Sequence, residues 1–98
     1  MIQFVTPYDV LLSVASFVKE TRLQQGLRAE DLAVRAGIGK ATLARIEKTG
    51  ICSTENLVKV FAALGKLELL ASILIPEEPV SIAELRKLSR KRRKRVRV

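Results

Sequence analysis

Along most of this chain apolar residues recur at three- and four-residue spacing, which is the period of helices with one buried face. Thr6-Pro7-Tyr8-Asp9 is a start signal, with a Thr N-cap, Pro at the first helical position and an acid at the third. Leu11, Val14, Ala15 and Val18 follow at helical spacing as far as Arg22, and Gly26 closes the segment. The pattern predicts one long amphipathic helix from Pro7 to Gln25, or two nearly continuous ones. A short helix over Ala29 to Arg35 comes next, with Leu32, Ala33 and Ala36 as its apolar face. Gly37 stands where a left-handed residue ends a helix. Only Ile38 and Gly39 then intervene before a helix from Lys40 to Lys48, whose buried stripe is Thr42 or Leu43 with Ile46; Gly50 closes it. Two short helices joined through a glycine-containing turn form a tight corner.

Ser53 is the N-cap of a fourth helix carrying Leu57, Val60, Phe61 and Leu64, which ends at Gly65. Lys66 to Leu74 is apolar on several sides and fits either a helix or a strand. The scarcity of β-branched residues favours a helix. Ile75-Pro76-Glu77-Glu78-Pro79 is a stiff, extended break. Ser81-Ile82-Ala83-Glu84 is a capping box that opens a last short helix, from Ile82 to about Leu88. At the other end, Ile2-Gln3-Phe4-Val5 fits a strand or a cover laid over apolar surface. No internal repeat is visible.

Composition narrows the function classes. The chain has 98 residues, 48 % of them hydrophobic, which suits one small domain with a modest core and excludes wholesale disorder. No apolar run approaches the roughly 20 residues a membrane-spanning helix needs, and the N-terminus lacks the regions of a secretory signal. A single cysteine, Cys52, and no histidine exclude an intrachain disulfide or a multi-ligand zinc site, so a reducing cytoplasm is the expected location. Charge is unevenly placed. The net charge is +8, yet nine of the eighteen Lys/Arg and none of the acids lie from Arg86 onward. That tail, with Arg90, Lys91, Arg92 and Arg93 at its head, self-repels and is suited to a polyanion or an acidic surface. A tail that merely solubilises is the plainer alternative.

The run Gly26 to Gly50, reading GLRAEDLAVRAGIGKATLARIEKTG, resembles the Xre/Cro/phage-repressor helix-turn-helix family. The Leu32-Ala33 pair, the Ala36-Gly37 turn with Ile38 after it, and the Ile46-Glu47 ending all fall at that family's spacing. With flanking helices the resemblance extends over most of Thr6 to Gly65. It implies an all-α, five-helix lambda-repressor-like domain with a short C-terminal helix and a basic tail. Residues 1–75 would then be a DNA-binding and dimerisation domain, and residues 76–98 a Pro-containing linker, short helix and tail. Two departures stand out. Arg28-Ala29 replaces the usual Thr-Gln at the start of the second helix, losing an N-cap oxygen and a phosphate-contacting amide. Gly39 replaces the Ser before the recognition helix, a milder change because Gly caps adequately.

The corner requires a small Ala33 where two helix backbones approach, a Gly37 able to take positive φ, and Leu32, Ile38, Leu43 and Ile46 packed beneath. Lys40, Ala41, Ala44, Arg45 and Lys48 are left facing outward. Arg45 is the best base reader, because a guanidinium bonds guanine O6 and N7 together; its plainer reading is a solvated helix charge. Lys40 reaches base edges or a phosphate, Ala41 touches a thymine methyl, and Thr42 and Lys48 are phosphate candidates. Arg28, Ala44 and the tail residues Arg90 to Arg93 complete the expected DNA-binding set. The resemblance also implies an Arg22–Glu47 pair that orients helices, a structural role.

Neither adjacent acid pair, Glu30-Asp31 or Glu77-Glu78, is arranged for catalysis, and no histidine, phosphate loop or nucleophile–base spacing is present. No enzyme, cofactor or metal is expected, and Cys52 is read as a bystander. The surplus apolar residues Leu67, Leu69, Leu70, Ile73, Leu74 and Ile75 are the expected homodimer interface, with core completion as the alternative. The whole layout, from Thr-Pro start to Arg-rich end, is similar to HipB-like antitoxin repressors. That similarity implies double-stranded palindromic operator DNA and a HipA-like Ser/Thr kinase toxin as partners. The alternatives are a phage-type repressor and a non-catalytic interaction module whose tail binds nucleic acid or protein.

Overall fold

The computed structural model describes residues 5–75 together with Arg86 and Lys87. Five helices occupy that span: α1 Pro7–Gln24, α2 Ala29–Ala36, α3 Lys40–Thr49, α4 Thr54–Ala63 and α5 Leu67–Leu74. Among the described residues there is no strand, and the architecture is the all-α, lambda-repressor-like arrangement.

Local chemistry sets the boundaries. At the start of α1, Asp9 N–H donates to Thr6 Oγ1 (3.1 Å) and Thr6 N–H to Asp9 Oδ2 (3.0 Å), a complete capping box ahead of Pro7. Those bonds hold the Asp9 carboxyl below the usual aspartate range, the backbone bond from Thr6 being the larger cause. No break interrupts the helix, so the choice between one helix and two resolves to one. Between α2 and α3 the chain reverses at Gly37, whose φ of +70° lies in the left-handed region that a Cβ disfavours. Ile38 N–H then donates to Ala33 O (3.0 Å) and Gly37 N–H to Val34 O (3.1 Å), satisfying carbonyls the helix end would leave open. Helices α2 and α3 each run one residue past the expected end.

The core joins α1 to α4. Val18, Leu32, Leu43, Ile46 and Val60 are fully buried, and Ala33, Ala36, Phe61 and Leu64 nearly so. Between Thr42 and Leu43 the structure chooses Leu43; Thr42 is half-buried. Phe17 stacks on Phe61, with ring centroids 5.2 Å apart, and ties α1 to α4. Gln25 Nε2 donates to Leu64 O (2.8 Å), bonding the end of α1 to the end of α4. The tightest approach is at Gly50: a Cβ there would lie 1.9 Å from Leu11 O, at a φ of +74°. Nothing larger than hydrogen lets α3 end against the backbone of α1.

The Lys66–Leu74 ambiguity resolves to a helix, α5, but one without a single buried residue. Leu70 packs against the core, while Leu67, Leu69, Ile73 and Leu74 remain exposed. Ile75 leaves α5 in extended conformation, as the following prolines predict. The Pro76–Pro79 break, most of the Ile82–Leu88 helix and residues Ile2 to Phe4 lie outside the described residues, as does the tail from Arg90. Arg86 and Lys87 are helical and exposed.

Candidate nucleic-acid interface

Helix α3 is anchored along one side and bare along the other. Leu43 and Ile46 point into the core with no solvent exposure, and Ile38 packs against the same cluster just ahead of them. A turn of about 100° per residue then forces Ala41, Ala44, Arg45 and Lys48 to the opposite side. All four are exposed, and so is Lys40 at the helix start. The expected outward set is therefore brought together on one face. Thr42 sits at its edge, half-buried.

The angle of α3 is fixed by an ion pair as well as by packing. Arg22 Nε donates to Glu47 Oε2 (2.7 Å) and Nη2 to Glu47 Oε1 (2.9 Å), a two-pronged bond. Nη1 donates to Leu27 O at 2.9 Å, so one guanidinium ties α1, the α1–α2 turn and α3 together. The two side chains are only 12 % and 10 % exposed. The bond to Glu47 raises the Arg22 pKa further, against desolvation. Glu47 is in this way the one acid of α3, and it is engaged with α1.

The N-termini of α2 and α3 differ in a way that bears on ligands. Arg28, exposed at the N-cap of α2, supplies no acceptor from its side chain; instead its N–H donates to Asp31 Oδ2 at 3.2 Å. The lost N-cap oxygen is thus partly offset by an acid one turn later. Glu30 and Asp31 in that first turn also favour the helix dipole. Helix α3 has no acid in its first turn, no side-chain cap from Gly39, and a lysine at its first position. A cation there opposes the dipole by about 0.3–1 kcal/mol, and among the described residues no ion pair offsets it.

Beside α3 lies an open cleft of about 430 Å³, lined by Lys19, Ala29, Ala44, Glu47 and Lys48. Lys19 is not among the residues that the sequence pattern singles out. A signal was available: Lys19 precedes Arg22 by three residues, so both lie on one side of α1, and the arginine meets α3. Cys52 is half-buried, its thiol pushed up by desolvation, and it makes only a long contact to Gly50 O (3.8 Å), which agrees with a bystander.

A family model described as helix-turn-helix matches residues 18–70, more than half of the chain. The chain belongs to the Xre-like helix-turn-helix family. No curated protein and no solved structure matches it. As a helix-turn-helix protein it is a DNA-binding transcriptional regulator, of a family whose members are typically regulators and not enzymes. The matched span begins at Val18 and ends at Leu70, taking in the Arg22–Glu47 bond, the α2–α3 corner and the exposed face of α3. No helix among the described residues is long and apolar enough to cross a membrane.

Proposed function

We propose that this regulator is a repressor that binds palindromic operator DNA as a homodimer, with the exposed face of α3 in the major groove. The observation that carries the reading is the charge placement on α3. Lys40, Arg45 and Lys48 share the bare face, the one acid of α3 is bonded to Arg22, and Lys40 stands at a helix start where stability alone disfavours it. A duplex resolves that conflict, because its phosphates and its guanine edges are acceptors. Arg45 reads a guanine, Lys40 a base edge or phosphate, Ala41 and Ala44 let the helix approach closely, and Thr42, Lys48 and Arg28 hold the backbone. The tail cations Arg90, Lys91, Arg92 and Arg93 extend the footprint over neighbouring phosphates.

The second copy docks on α5, whose Leu67, Leu69, Ile73 and Leu74 are between 43 % and 76 % exposed, apolar surface on both sides of Leu70 that a lone protomer leaves in water. Two-fold pairing would set two recognition helices about 34 Å apart, one turn of duplex. The likeness of the whole layout to HipB-like antitoxins supports a narrower reading: an autorepressor of a toxin–antitoxin operon, with a HipA-like Ser/Thr kinase as partner.

Gel shifts with the DNA upstream of the gene, at two salt concentrations, test the central claim. Sharp, palindrome-dependent binding is expected. Arg45→Ala should cost about 1–3 kcal/mol of discrimination between operator and scrambled duplex while leaving the fold intact. Unchanged discrimination in that variant would overturn base reading by α3. Co-purification with a kinase encoded beside the gene tests the antitoxin reading, and its absence would leave a phage-type repressor.

A further inference from the structure

We infer that Lys19 and Lys48 form a two-walled seat for one backbone phosphate of the bound duplex, with Lys19 as its outer wall. The inference rests on the DNA-binding reading and adds to it a contact from α1, a helix outside the recognition corner. Three observations support it. The cleft lined by Lys19 and Lys48 is open, and two of its lining residues, Ala44 and Lys48, also belong to the exposed face of α3. Besides the two lysines and Glu47 its lining consists of the small side chains of Ala29 and Ala44, which leave room for a phosphate. The acid in its lining, Glu47, is already bonded at both oxygens by Arg22, so that carboxylate is compensated and does not neutralise the two lysines.

Among the described residues neither lysine takes part in an ion pair, although Lys59 on α4 does, with Glu55 at 3.2 Å. A charge kept unpaired beside a concavity costs little in water and is available to a polyanion. Because Lys48 shares α3 with Arg45, seating a phosphate between Lys48 and Lys19 also sets the register in which Arg45 enters the groove.

The test is the salt dependence of binding, measured by fluorescence anisotropy with two labelled duplexes, the upstream DNA and a scrambled sequence of the same length. Lys19→Ala should make the slope of log affinity against log salt shallower by about 1, with equal loss on both duplexes. Lys48→Ala should do the same, Lys19→Arg should restore the slope, and Lys59→Ala should leave it unchanged. Circular dichroism checks that each variant is folded; Lys19 is exposed. A slope unchanged in Lys19→Ala, with the unaltered protein binding normally, would overturn the seat and leave the regulator reading standing. Loss confined to the upstream DNA would also overturn it, because a phosphate contact carries no sequence information. An unaltered protein that binds neither duplex would sink the regulator reading and the seat together.

Discussion

Helices α3 and α5 are similar in length and both carry leucine and isoleucine at helical spacing, yet they meet opposite fates. In α3, Leu43 and Ile46 are wholly removed from solvent, and the helix is fastened again at Glu47 and at Gly50. In α5 every residue retains some exposure, and Ile73 and Leu74 are more than 70 % open. The more apolar helix is therefore the less buried one. Hydrophobic content states how much surface needs covering; how much is covered depends on whether a neighbour lies on that side. The four-helix block had already closed around Leu32, Leu43 and Val60, and only Leu70 of α5 found a place on it. The charged face of α3 and the apolar face of α5 suit different partners, one a polyanion and the other an apolar surface.

Substitutions can break this contrast, and the largest effect is expected at Gly50. Gly50→Ala drives a methyl into Leu11 O at a backbone angle that disfavours any side chain, so a loss of about 4 kcal/mol or more is expected. Urea unfolding should show a chain unfolded or nearly so; a midpoint near that of the unaltered protein would mean that α1 and α3 do not meet as described. Next comes Leu43→Ala, which opens a cavity in the core and should cost about 3 kcal/mol. Its counterpart on α5, Ile73→Ser, removes no protomer packing and should change protomer stability by less than about 0.5 kcal/mol. If α5 is the dimer face, sedimentation should nevertheless show the Ile73 variant shifted toward monomer. Comparable stability losses at the two sites would erase the contrast.

Arg22→Ala is expected to have an effect slightly smaller than that of Leu43→Ala, about 2–3 kcal/mol, because it leaves a largely buried Glu47 without its partner. Replacing both members with Met and Leu should recover most of that stability. DNA affinity should stay reduced in the double variant, since apolar side chains fill the space without tying α3 to the α1–α2 turn. Recovery of stability and affinity together would mean that the bond has no orienting role.

Much of the helical architecture was legible in the chain because its signals are local. A capping box at Thr6 and Asp9, left-handed glycines at positions 37 and 50, and a serine cap before α4 each depend on a few neighbouring residues. The outward set on α3 was legible too, since burying Leu43 and Ile46 leaves only one side for Ala41, Ala44, Arg45 and Lys48. Lys19 and Ala29 were not recognisable as parts of one cleft. They are ten residues apart in the chain and meet only through the way α1 and α2 pack around α3. Likewise Gly50 reads as an ordinary helix end until Leu11, far earlier in the chain, is found against it.

Sequence alone determined where the first four helices begin, which of their faces are apolar, and that the excess charge lies from Arg86 onward, because caps, periodicity and composition act over a turn or two of chain. Tertiary structure alone decided which apolar faces would be covered, that α5 would remain open, and that lysines from two different helices would flank one cleft. Those outcomes depend on distances between residues far apart in the chain, and such distances exist only once the core has closed.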